Sequence, residues 1–82
     1  MNAIEKFLRK LNLQQEQAIL LIMAQLEDDY RKVPGILPLK GKKGWFKVRV
    51  GRYRIIFQVL NSKGEVEIKR VANRDENTYK NL

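Results

Sequence analysis

A two-residue alternation of side-chain character starts at Trp45, breaks once at Gly51-Arg52, and resumes at Tyr53. Successive side chains of a strand point to opposite faces, so this pattern admits paired strands and little else. Trp45, Lys47 and Arg49 fall on one side, and Phe46, Val48 and Val50 on the other. In the second run Arg52 and Arg54 share a face, opposite Tyr53, Ile55, Phe57 and Val59. The reading is a strand over 45–50, a turn or bulge at Gly51-Arg52, and a strand over 53–60. Asn61-Ser62-Lys63-Gly64 has turn composition. A third strand over 65–72 puts Val66 and Ile68 on one face and Glu67 and Lys69 on the other.

The chain before this meander has a different period. Ile4, Phe7, Leu8 and Leu11 stand at helical spacing over residues 3–11, and Asn12 suits a break or cap. A second helix is expected over 13–31. Ala18, Leu21, Ile22, Gln25, Leu26 and Tyr30 trace one face, which Ile19, Leu20 and Met23 widen. An apolar arc this broad implies cover on both sides, from the first helix, the sheet and a partner protein. Val33-Pro34-Gly35 stops the helix, and residues 36–39 lead into the basic stretch. Helices first and strands after give an α+β fold, a helical hairpin packed on a small antiparallel sheet, as one domain over 1–82.

Charge is distributed as unevenly as periodicity. Residues 1–30 carry three Lys/Arg and five Asp/Glu, a balance of −2, whereas residues 31–82 carry fourteen and four, a balance of +10. Seven cations and no acid fall within residues 39–57: Lys40, Lys42, Lys43, Lys47, Arg49, Arg52 and Arg54. Such a run also fits a solvated surface, but here the alternation gathers cations on a sheet face, which suits a polyanion partner. A membrane surface is not expected, because the basic half reads as sheet. The longest apolar run, 18–24, is too short to span a bilayer, and the N-terminus lacks a signal-peptide core. A soluble, cytoplasmic protein is the expectation.

The absence of His and Cys removes the commonest general base, the thiolate nucleophile and the usual zinc ligands. Glu27, Asp28 and Asp29 are consecutive on a helix and point apart, so no metal or other cofactor is expected. Gly41 and Gly44 flank Lys42 and Lys43 without the phosphate-loop pattern. One reaction stays open: cleavage of RNA by its own 2′-hydroxyl. The protein then supplies a base, positive charge for the transition state, and help for the leaving oxygen. A lysine packed among other cations gives up its proton more readily, and Lys47 beside Arg49, with Arg54 across the ladder, meets that condition. Arginines supply fixed charge and bidentate phosphate contact. Tyr79 can stack on an unpaired base or donate a proton. A nonspecific nucleic-acid binder would show much the same spacing.

The run LKGKKGWFKVRVGRYRIIFQV, followed by a third strand and RVANRDENTY, resembles the RelE/ParE superfamily of toxins from type II toxin–antitoxin systems. The likeness covers most of the chain, and the KVRVGRYRIIF segment is its most specific part. It implies a helical hairpin on an antiparallel sheet, neutralised by a cognate antitoxin whose acidic or amphipathic segment wraps the domain. The RelE branch, which the chain resembles most, cleaves mRNA on the ribosome without metal and inhibits translation. By position the resemblance implies Lys47 as base, Arg49 and Arg54 as phosphate and transition-state stabilisers, Arg74 as support for the leaving group, and Tyr79 as substrate orienter. Lys40, Lys42, Lys43 and Arg52 would add RNA contacts. Relatives usually open on a strand, and Arg49 stands where a lysine is common. A sheet one strand short, or a strand outside this sequence, follows from the first departure. The ParE-like branch, which inhibits DNA gyrase by binding, and an inactive nucleic-acid-binding module share the same expected fold.

Overall fold

In the computed structural model, which describes residues 2–74, two asparagines set the helices. Asn2 Oδ1 accepts from the Glu5 N–H at 2.8 Å and opens α1 (Ala3–Arg9). Asn12 Oδ1 accepts from the Gln15 N–H at 2.8 Å and opens α2 (Leu13–Asp29). Each satisfies one of the donors a helix start leaves over. Both helices end sooner than the apolar spacing suggests. Lys10 and Leu11 donate to Phe7 and Leu8, which tightens the last turn of α1. After α2 the chain enters a 3₁₀ turn, Tyr30–Lys32, where Asp29 Oδ1 accepts from the Arg31 N–H at 3.1 Å.

Four strands follow: β1 (Leu37–Pro38), β2 (Trp45–Val50), β3 (Tyr53–Val59) and β4 (Val66–Asn73). They form one antiparallel sheet in the order β1-β2-β3-β4. β1 is the strand the alternation did not announce, being two residues long and half proline. Pro38 lacks an N–H, so the position suits a sheet edge. The β2–β3 turn is Gly51-Arg52, with φ +61° at Gly51 and no positive φ at any described non-glycine residue. That is the type II′ pattern, whose twist matches the flanking strands.

Register decides which residues form the core. Val48 pairs with Ile55, Phe46 with Phe57 and Val50 with Tyr53. These residues face the helices, and the buried cluster joins Val48, Tyr53, Ile55, Phe57 and Val71 to Leu8, Ile19 and Leu26. Aromatic contacts anchor the helical segments. Phe7 meets Tyr53 edge-on at 5.8 Å, while Tyr30 lies 6.1 Å from both Phe46 and Phe57. Tyr53 also donates to Gln15 Oε1 at 3.0 Å, tying β3 to α2.

The buried face of α2 runs through Ile19, Ile22, Met23 and Leu26. The expected face therefore needs correction, because Ala18 and Leu21 are exposed, Leu21 by 59% and its neighbour Leu20 by 45%. The sheet covers one side of α2 only. No helix of the described residues is long and apolar enough to cross a membrane.

Candidate nucleic-acid interface

The face of the sheet away from the helices carries the cations. Along β2 it presents Trp45, Lys47 and Arg49, as alternation requires. Arg49 pairs directly with Arg54 on β3, so two guanidinium stems stand side by side across the ladder. Like charges directly opposite on a sheet are destabilising, and an anion placed between them relieves that cost. Lys47 pairs with Ile56 on one side and Leu37 on the other. Lys47, Arg49 and Arg54 line one cavity of about 210 Å³, together with Gly35, Leu37 and Val48. The structure thus brings together three of the five residues expected to carry chemistry.

The fourth, Arg74, lies at the hairpin end of the sheet. Its N–H donates to the Arg52 carbonyl at 3.0 Å and its Nη1 to the Gly51 carbonyl at 3.3 Å. The guanidinium therefore braces the β2–β3 turn, next to the cavity instead of in its lining. The fifth, Tyr79, lies outside the described residues. Among the expected RNA contacts, Lys40 and Lys43 are exposed on the β1–β2 turn and Arg52 is exposed in the β2–β3 turn. Lys42 turns back, its Nζ 4.5 Å from the Trp45 ring centroid.

Arg70 belongs to this face and simple alternation hides it. Counting by twos from Val66 and Ile68 aims Arg70 at the core. A bulge intervenes: Phe57 pairs with Ile68 but Ile56 pairs with Arg70, so Lys69 has no place in the register. The extra residue moves Arg70 to the cationic face and returns Val71 to the buried cluster. Two cations in succession between Ile68 and Val71 are the signal that could have revealed it. Lys47 and Arg70 flank the fully buried Ile56 from either side, about 10 Å apart at the backbone.

A larger cavity of about 500 Å³ lies beyond the end of α2, against Val33 and Pro34. Its lining includes Asp28 and Asp29. The hydrogen bond from Arg31 Nε, at 3.0 Å, holds the Asp29 carboxyl below the usual carboxylate range. Lys32 lines the same cavity, so the charge of the lining is mixed. Among the described residues no group of three or more carboxylates gathers to hold a metal ion.

With these features in place, comparison with known proteins adds one finding. Residues 1–78 match the family model for ParE toxin of type II toxin-antitoxin system, parDE. No curated protein sequence matches the chain significantly.

Proposed function

The chain belongs to the ParE toxin family of type II toxin–antitoxin systems, and we propose that it cleaves mRNA on the ribosome through the cationic face of its sheet. Membership carries a cognate antitoxin as partner. The observation behind the finer reading is the Arg49–Arg54 pair beside Lys47 over a single cavity. Two directly opposed guanidinium groups concentrate positive charge on this face, and arginines of this kind suit bidentate contact with phosphate.

In the proposed reaction the 2′-oxygen of the RNA attacks the adjacent phosphorus while Lys47 takes its proton. Arg49 and Arg54 hold the non-bridging oxygens as charge builds on them. The bond from phosphorus to the 5′-oxygen breaks, and the departing oxygen collects a proton from solvent. Arg74 supports the leaving side through the turn it braces, and Arg70 holds a neighbouring phosphate. Tyr79 orients the substrate base. Lys40, Lys43 and Arg52 steer the RNA toward the face.

A second reading draws on the name of the matched family, because ParE-like relatives inhibit DNA gyrase by binding. The two separate in one side-by-side experiment, primer extension on a message translated in vitro and a gyrase supercoiling assay on the same protein. Discrete cuts on ribosome-bound message with supercoiling untouched are expected. Blocked supercoiling with intact message would overturn the nuclease reading in favour of the gyrase one.

A further inference from the structure

Trp45 is the chain's only tryptophan, and it stands on the cationic face of the sheet instead of in the helix-facing core. Its neighbour Phe46 fills the core side, stacked on Phe57 at 5.7 Å. The Trp45 ring is half-buried and meets two ammonium groups, Lys42 Nζ at 4.5 Å and Lys69 Nζ at 5.3 Å from its centroid. Both lysines come from irregular backbone. Lys42 belongs to the β1–β2 turn, where the Trp45 N–H donates to the Lys42 carbonyl at 3.1 Å. Lys69 is the bulge residue of β4, and Glu67 holds its ammonium at 3.1 Å.

We propose that the Trp45 ring is a stacking subsite for an unpaired nucleobase, with Lys42 and Lys69 as walls that meet the flanking phosphates. This rests on the RNA reading of the same face and adds to it where a base lies relative to the cations. Trp45 and Lys47 are two residues apart on one strand, about 7 Å, which is the reach of one nucleotide. A base on the ring would therefore set its neighbouring phosphate at Lys47 and Arg49. Both lysines are half-buried, and Lys69 is also held by Glu67 at 3.1 Å, so Lys42 is the one a stacked base displaces more readily. The base displaces it, and the freed lysine swings toward phosphate with its charge intact. Stacking on one ring tolerates any base, so the subsite selects single strands without selecting sequence. An acidic protein segment would use the same charges but gain nothing from the ring.

The test uses the full chain at low salt, with the intrinsic fluorescence of Trp45 as reporter. The probes are an eight-nucleotide RNA and an abasic strand of equal length and charge. RNA should quench the fluorescence saturably, and the abasic strand should bind without quenching. Anisotropy with labelled strands should show Trp45→Leu about tenfold weaker for RNA and unchanged for the abasic strand, with Trp45→Phe in between. Equal binding of RNA by the native protein and Trp45→Leu would overturn the stacking subsite and leave the RNA reading standing. An acidic peptide that quenched as RNA does would overturn it too, marking a surface for charge alone. Failure of both strands to bind would overturn both proposals. Base-dependent quenching by the free RNA, with no cuts on ribosome-bound message in primer extension, would uphold the subsite while the nuclease reading fell.

Discussion

Arg49 faces Arg54 across the ladder while an acid at either position would have paired with the other. Directly opposed like charges work against a sheet, so this pairing alone gives stability no reason to favour arginine at position 49. Function and stability should therefore part company at this position. Arg49→Gln keeps a shorter polar side chain that can still hydrogen-bond, and it removes the charge repulsion. We expect its melting temperature to equal or exceed that of the native protein, while cleavage of ribosome-bound message falls about a hundredfold. Thermal denaturation and primer extension on the same preparations check both halves. A variant that lost stability along with activity would make Arg49 a structural residue. Lys47, by contrast, lies beside the buried Ile56, so its stem also covers apolar surface.

At the scale of elements, the β4 bulge decides what the cationic face contains. Removing Lys69 would leave Val66 to Asn73 as seven residues opposite the seven of β3, each in its present pairing. Deletion of Lys69 should therefore preserve a cooperative urea transition and keep Arg70 on the cationic face. Deletion of Ile68 should not, because it brings the Lys69 side chain opposite Phe57, at a cost of several kcal/mol for an unpaired charge in the core. If both deletions melted alike, the bulge would have no part in setting the register. The same element shows how far sequence reading reaches. The meander, the Gly51-Arg52 turn and the pairing of Lys47 and Arg49 with one face were legible, since alternation and glycine placement act locally. Arg70 was not, because an inserted residue reverses the alternation and its pairing partner lies on another strand. β1 was hidden for a related reason: two residues, one of them proline, carry no period at all. The exposure of Leu21 depends on how the sheet meets α2, which the helical pattern alone leaves open.

At the scale of the whole molecule, the sheet divides two tasks. Its helix-facing side holds the fully buried Ile55 and Phe57 against Ile19 and Leu26, and its other side collects charge from β2, β3 and β4. A net charge of +8 on 82 residues draws any polyanion toward the molecule, so binding alone says little about activity. The fold does not decide between cleaving RNA and blocking another target either. The claim that does decide is that Lys47 performs proton transfer on the RNA held by its arginine neighbours. The most direct measurement is the single-turnover rate of cutting on ribosome-bound message, by primer extension, for the native protein and Lys47→Ala at saturating protein. The account predicts discrete cuts that Lys47→Ala slows by about a hundredfold or more while RNA still binds. Cuts that persisted at the native rate in Lys47→Ala would contradict it.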